Sequence, residues 1–329
     1  MNVLVTGGAG FIGRWVVAQL LAGGRGDFRI PPVKVTVLDN LSNGRLTNLY
    51  ELSNHKNFAV FHQRDVMDVD FLAALFAETK FDLVIHLAAR INVQESIDAP
   101  RRVFDSDVVG TMNLLEQMRP HNIPLVFMST CMVYDMAEAT AGIDETHPTR
   151  CASPYAGAKL AAENMVQSYH HAYGMPTVIL RCFNTYGPYQ KSDGEGGVVS
   201  IFVHRELDRE PLSIYGDGTQ TRDLMYVEDC AEFVLRVAFS DKFQGEVYNA
   251  GTGRDISVND LASMIVTDSA RIQHVPHIHP QSEIRKLLCD ATRSKQTFGW
   301  QPRVTLEEGI KITKEFIANQ RLDRDTNGA

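Results

Sequence analysis

MNVLVTGGAGFIGRWVVAQLLAGG, residues 1–24, is the stretch on which the reading of the fold turns. Asn2 to Val5 is a short run with no turn residue, which predicts a buried parallel strand. Gly7, Gly8, Gly10 and Gly13 follow at once, and Trp15, Val16, Ala18 and Leu20 then recur at helical spacing. Glycines at such a turn let the backbone bend sharply and come close to a pyrophosphate. The helix N-terminus adds amide donors and the positive end of its dipole. Residues 8–13 satisfy G-x-G-x-x-G between a strand and a helix, the context that gives this spacing meaning, so a dinucleotide site is expected. A glycine-rich surface turn alone does not account for four glycines at the end of a buried strand.

The bulk properties exclude several classes. A chain of 329 residues can bury one large core or two smaller ones. Apolar residues at 44% and charged residues at 22% fit a soluble globular enzyme. A net charge of −8 with no basic cluster argues against nucleic acid as a partner. No apolar run reaches the length of a membrane span, and the chain starts on a core strand that leaves no room for a cleaved signal, so no membrane is expected. Cys131, Cys151, Cys182, Cys230 and Cys289 are scattered and form no C-x-x-C pair. Neither a disulfide framework nor a metal site is expected, and a reducing cytoplasm is the expected compartment.

Further along, residues 33–38 form a second predicted strand ending in Asp39. An acid there is placed to accept from a ribose 2′-hydroxyl and to repel a 2′-phosphate, so NAD is expected over NADP. The alternative is a loop aspartate capping the next turn. The interval from Gly13 to Asp39 exceeds the usual spacing of roughly 20 residues, and RGDFRIPP (25–32) is assigned as a surface insertion. Residues 58–63 are a third strand followed by Asp65 and Val66. A helix at 68–80 leads to a strand at 82–86 and then to Leu87, Ala88 and Ala89, small enough to let a cofactor lie against the backbone. Residues 96–118 read as helix, broken near Pro100, and 125–128 as a fifth strand with Ser129, Thr130 and Cys131 at its end. This alternation predicts an α/β fold with a Rossmann-type doubly wound parallel sheet, its ligands lying along the C-terminal edge of the strands.

Pro154-Tyr-Ala-Gly-Ala-Lys159 opens a long helix reaching about Tyr173. Tyr155 and Lys159 are four apart and share a helical face. A lysine beneath a tyrosine is expected to lower the phenol pKa and make it an acid/base near neutral pH. Y-x-x-x-K alone is common as a surface pair; its weight comes from the glycine turn and from Thr130.

With these features joined, the chain resembles the extended short-chain dehydrogenase/reductases, and among them the nucleotide-sugar epimerase/dehydratase group. The likeness runs nearly end to end: TGGAGFIG at 6–13, VLDNLSNG at 37–44, RDV at 64–66, HLAA at 86–89, STCMVY at 129–134 and PYAGAK at 154–159. It continues through RCFNTYGP at 181–188, IYGDGTQTRDLMYVEDC at 214–230, VYNAGTG at 247–253, FGW at 298–300 and LEEGI at 306–310. The resemblance implies an NAD-binding Rossmann domain over 1–184 and 230–258, a smaller nucleotide-sugar-binding lid over 185–229 and 259–318, and a tail at 319–329. It implies a cofactor site made of Gly7, Gly10, Phe11, Ile12, Gly13, Asp39, Asn40, Asn43, Gly44, Asp65, Val66, Leu87, Ala88, Ala89, Tyr155 and Lys159. Thr130 resembles the hydroxyl that bonds the sugar hydroxyl being oxidised, Tyr155 the catalytic base, and Lys159 the residue that holds the nicotinamide ribose and tunes the tyrosine. Cys131, Met132, Asn184 and Val198 would touch the substrate, Tyr215 would pack on its base, and Arg222 and Arg285 would hold its phosphates. Tyr226 is expected in the core instead. A homodimer through helices near 104–118 and 155–172 is implied as well, with Val103, Phe104, Val108 and Met112 as an apolar stripe that otherwise covers the sheet.

Three departures from the group's pattern bear on function. Cys131 and Met132 stand where the dehydratases carry an Asp–Glu pair or at least a Glu, and where decarboxylases carry Glu. Met has no proton to give, and Cys is a weak acid whose thiolate needs stabilisation. Asp107 stands where the group usually has Asn, and 280–283 reads Pro-Gln-Ser-Glu, without the usual arginine. The leading expectation is a nucleotide-sugar 4-epimerase, which needs one base, one hydroxyl donor and a returned hydride. The alternative within the group is a dehydratase of 4,6- or 5,6-type, or a 3- or 5-epimerase, using Cys131 as an acid or base; Cys131 equally reads as a buried filler. A non-catalytic NAD or sugar sensor predicts a damaged Thr/Tyr/Lys set, and this set is intact.

Overall fold

A computed structural model describes residues 1–137, 141–192 and 197–327, with 323–327 described by backbone alone. Its centre is a seven-stranded sheet. The strands are β1 (Asn2–Thr6), β2 (Lys34–Leu38), β3 (Phe58–His62), β4 (Leu83–His86), β5 (Leu125–Thr130), β6 (Thr177–Cys182) and β7 (Glu246–Ala250). They lie in the order β7-β6-β5-β4-β1-β2-β3 with every neighbouring pair parallel. The chain walks outward from β1 to β3, crosses back, and walks outward the other way from β4. The crevice at the carboxyl ends of β1 and β4 is therefore the topological switch point where such sheets bind ligands.

Side-chain alternation explains the layers. Val3 and Val5 of β1 enter one apolar cluster with Val16, Val17 and Leu20, while Leu4 enters another with Leu72, Leu114 and Val166. The sheet is thus covered on both faces, which is why its central strands read as continuous apolar runs. One face carries α1 (Phe11–Ala22) and the other carries α2 (Pro154–Tyr173). The helix α3 (Val227–Ala238) joins α1 on its face. A third cluster lies after β6. It gathers Tyr186, Phe202, Leu212, Leu224, Tyr226 and Leu261 with Ile310 and Ile317 of α4 (Leu306–Asn327). Tyr226 is in that core, as expected.

Several local expectations change. The insertion at 25–32 begins on a small antiparallel pair, Gly24–Arg25 with Phe28–Arg29, whose first residue precedes it. Arg25 reaches Asp229 of α3 at 2.5 Å, and Arg303 pairs with Asp27, so the insertion is strapped to the helix layer. The helix α4 runs on through 319 to Asn327, where Arg321 pairs with Asp208 at 2.6 Å, and residues 328–329 lie outside the described residues. The apolar stripe is split. Val103 and Val108 are buried against Tyr155 and Ala158 within the chain, whereas Phe104 and Met112 are exposed. The break near Pro100 is a helix restart with proline in its first turn, followed by a π-helical turn at Asp105–Val109 before Gly110–Met118.

Candidate active site

A cleft of about 960 Å³ runs along the carboxyl edge of the sheet. Gly7, Gly10, Phe11, Ile12 and Gly13 form its floor at the start of α1, whose first-turn amides have no acceptor inside the helix. Close packing dictates the glycines. Gly7 has φ +71°, and a Cβ there would lie 2.6 Å from the Ala88 amide nitrogen; a Cβ on Gly13 would lie 2.1 Å from the Gly7 carbonyl oxygen. Strand, turn and helix therefore touch backbone to backbone. A Cβ on Gly10 would meet only the Gly7 oxygen, at 3.1 Å, so this glycine leaves its space to the cleft.

Asp39 closes one end of that floor. Its carboxylate accepts the Ala9 amide at 3.0 Å and the Leu41 amide at 2.8 Å, so it both lines the cleft and caps the next turn. Burial pushes its pKa up, opposed by those backbone donors. Asn40, Asn43, Gly44, Asp65, Val66, Leu87, Ala88 and Ala89 line the same part, and Asn40 donates to Asp65 at 2.6 Å. A glycine floor, helix amides and an acid at the end of β2 fit a dinucleotide with a free ribose hydroxyl.

The chemistry-bearing set sits at the end of β5. Thr130 is the last residue of that strand; its hydroxyl accepts the Met132 amide at 3.2 Å, and it lines the cleft together with Tyr155. Ser153 caps α2 by accepting the Ala156 amide at 3.2 Å, and Pro154 starts the helix, which fixes where Tyr155 emerges. Lys159 lies one turn on, 3% exposed, with Nζ 4.5 Å from the Phe127 ring centroid. All three line the cleft.

The expected lowering of the phenol pKa is not found in the protein alone. Burial pushes Tyr155 up, Asp107 adds to that, and the Thr130 hydrogen bond opposes it. The lysine is buried too, and burial lowers its pKa against the pull of Asp107 and Glu163. Cys131 is 2% exposed and its thiol is pushed up to about 12 by burial. Met132 lines the cleft beside it. Glu163 is held by Arg181 through two nitrogens, at 3.0 and 2.6 Å, and accepts from Ser129, so it is not free for acid–base work.

At the other end, Asn184 and Arg222 line the cleft. Asn184 Oδ1 is buried without a partner among the described residues. Arg222 is tied to Glu283 and to the Ile284 carbonyl at 2.8 Å. Three residues expected at the substrate are not among those lining the cleft. Tyr215 ends a strand whose Leu212 and Ile214 point inward, so it points out and lies against His277 at 5.7 Å. Arg285 is exposed and sits 3.9 Å from Asp217, and Val198 packs in the third cluster while Gly197 takes its place at the wall. Glu283, His279, Tyr189, Lys191, Phe316 and Gln320 line the cleft without having been anticipated as ligands. Only Glu283 carried a sequence signal, the altered segment at 280–283. The rest come from α4 and loops whose place depends on the third cluster.

The GDP-mannose 4,6-dehydratase family model matches residues 4–313. A UDP-glucose 4-epimerase of Mycolicibacterium smegmatis is 37% identical over 324 residues, covering 97% of this chain and 99% of its own. The crystal structure of Pal from Bacillus thuringiensis is 53% identical with a TM-score of 0.93, covering 97% of this chain and 100% of its own. A dTDP-glucose 4,6-dehydratase from Streptomyces venezuelae, solved with NAD bound, is 29% identical with a TM-score of 0.90 and covers 98% of each chain. The chain belongs to this family of extended short-chain dehydrogenase/reductases, the nucleotide-sugar epimerases and dehydratases.

Proposed function

We propose that the protein is a nucleotide-sugar 4-epimerase. The observation that carries this reading is the content of the site at the end of β5. Thr130, Tyr155 and Lys159 meet there, while Cys131 is a buried thiol raised to about 12 and Met132 has no proton at all. One hydroxyl donor and one base are what oxidation and re-reduction at a single carbon require. Elimination of water needs a further acid and base, and positions 131 and 132 supply neither near neutral pH.

In this reading Thr130 holds the sugar 4-hydroxyl and Tyr155, as tyrosinate, takes its proton. NAD supplies the hydride acceptor, and its positive nicotinamide ring adds charge that favours the tyrosinate. Lys159 holds the nicotinamide ribose and keeps a second positive charge beneath the phenol. The 4-keto sugar turns over in the cleft, and Tyr155 returns its proton when the other face is reduced. Residues 185–229 and 259–318 form the wall over the sheet edge, where Arg222 faces the diphosphate and Asn184 a polar group of the substrate.

The test is the mass of the product formed from a panel of UDP-, dTDP-, GDP- and CDP-sugars. An isomer of unchanged mass supports the reading, and loss of water overturns it. The dehydratase reading keeps one observation in its favour: the Cys131 thiol lines the same cleft as Tyr155.

A further inference from the structure

Pro280–Ser282 is a single tight turn that delivers the chain to Glu283, and Glu283 lines the cleft together with Arg222. Arg222 lies on the strand Thr221–Tyr226, whose first two residues pair with Lys286 and Leu287, so the two segments run side by side. A guanidinium has five N–H donors. Nη1 of Arg222 donates to the Thr221 and Ile284 carbonyls, each at 2.8 Å, and Nη2 donates to Glu283 Oε1. The Nε–H and the second N–H of Nη2 carry no hydrogen bond among the described residues, so they remain for a ligand.

The other oxygen of Glu283 is held by a residue that does not line the cleft. His277 Nε2 lies 2.5 Å from Glu283 Oε2, and the His279 amide donates to His277 Nδ1 at 3.1 Å. A ring nitrogen that accepts an N–H carries no proton, so the imidazole proton sits on Nε2 and is donated to Glu283. Tyr215 lies against the ring at 5.7 Å and His279 crosses it edge-on at 5.0 Å, which fixes its plane. No arginine stands in 280–283 to hold this carboxylate; an imidazole six residues before it does the holding.

A carboxylate free to turn lays both oxygens on a guanidinium as a bidentate pair and takes a second N–H from it. Here Oε1 alone meets Arg222, because Oε2 is turned to His277. Resting on the reading of Arg222 as the group that faces the diphosphate, we propose that His277 is a positioning residue: its Nε2–H keeps Glu283 on one oxygen and so keeps the open N–H groups of Arg222 available to the nucleotide. Loss of the imidazole donor lets Glu283 close onto Arg222 and compete with the phosphate for the same donors.

The probes are UDP, dTDP, GDP and CDP, titrated by calorimetry into the NAD-loaded protein, with the tightest carried through the variants. His277→Phe keeps a flat ring and removes the donor. Nucleotide affinity is expected to fall about tenfold or more, the worth of a hydrogen bond to a charged group. His277→Gln returns an N–H at similar reach with no ionisable group and is expected to restore affinity toward the parent's. NAD affinity and melting temperature are expected to stay at the parent's in both variants. In a Glu283→Ala background His277→Phe is expected to change nothing further, since the imidazole acts through that carboxylate.

Four results overturn the proposal: unchanged nucleotide affinity in His277→Phe, a His277→Gln as weak as His277→Phe, a loss of NAD affinity or melting temperature that matches the loss of nucleotide, or full additivity with Glu283→Ala. Parental affinity in Arg222→Ala overturns the reading of Arg222 instead, and a parent that binds none of the four nucleotides overturns the nucleotide-sugar reading itself.

Discussion

At the scale of single residues, the balance at Tyr155 decides what the cleft can do. In the protein alone, burial and Asp107 hold the phenol protonated, against the Thr130 hydrogen bond. The expected 4-epimerase chemistry therefore depends on every favourable contact being kept. Tyr155→Phe removes the ionisable oxygen and keeps the ring, so turnover is expected to fall by roughly 10²–10⁴-fold with NAD binding retained. Thr130→Val keeps the shape and is expected to slow turnover less. Cys131→Ala separates the two chemistries. With the thiol raised to about 12, loss of Cys131 is expected to leave epimerisation within several-fold. Accumulation of NADH with no product in that variant would sink the epimerase reading and favour elimination. Asp39 gives a prediction of binding. Its carboxylate stands at the end of β2 in the cleft, so NAD is expected to bind more tightly than NADP by calorimetry. Asp39→Asn should narrow that gap.

At the scale of elements, the glycine turn shows two glycines with different work. Gly13 lets α1 approach the turn, since its Cβ would lie 2.1 Å from the Gly7 carbonyl oxygen, a backbone atom that cannot swing aside. Gly13→Ala is expected to lower stability by about 1–3 kcal/mol, the usual cost of overpacking, and to lose NAD with it. Gly10→Ala meets only one oxygen at 3.1 Å, so its melting temperature should stay near the parent's while NAD affinity falls. Thermal unfolding with and without NAD checks both, and equal destabilisation by the two changes would refute the distinction. The elements themselves were legible because their signals are local. Strands β1 to β5 announce themselves as apolar runs, Ser153-Pro154 starts α2, and the switch point follows from the order of strands and helices. Tyr215, Val198 and Arg285 lie outside the lining of the cleft, and their direction depends on the third cluster. Nothing within IYGDG or PQSEI says which face of a short strand points at a ligand two elements away. Asp107 was visible as an odd residue, but its burial in a π-helical turn was not.

At the scale of the whole molecule, the cleft draws on both ends of the chain, from Gly7 to Gln320. The helical segment at 100–118 and α2 carry Asp107, Tyr155 and Lys159 on their inner side. Their outer side is where a second copy is expected. Val103 and Val108 are spent inside the chain, yet Phe104 is 45% exposed, Met112 is 38% exposed, and Tyr173 at the end of α2 is 55% exposed. Two copies related by a two-fold axis can bury the same helices against each other, since an isologous contact needs one self-complementary face. A homodimer is therefore expected by light scattering at micromolar concentration. Phe104→Asp with Met112→Asp should give a monomer, because each charge would be buried at the centre of such a contact. The pair of changes leaves the inner side untouched, so NAD binding should persist while turnover falls if the second copy steadies the helices around Tyr155. A parent chain that scatters as a monomer would remove the dimer, and with it any role for Phe104 and Met112 beyond a solvated helix face.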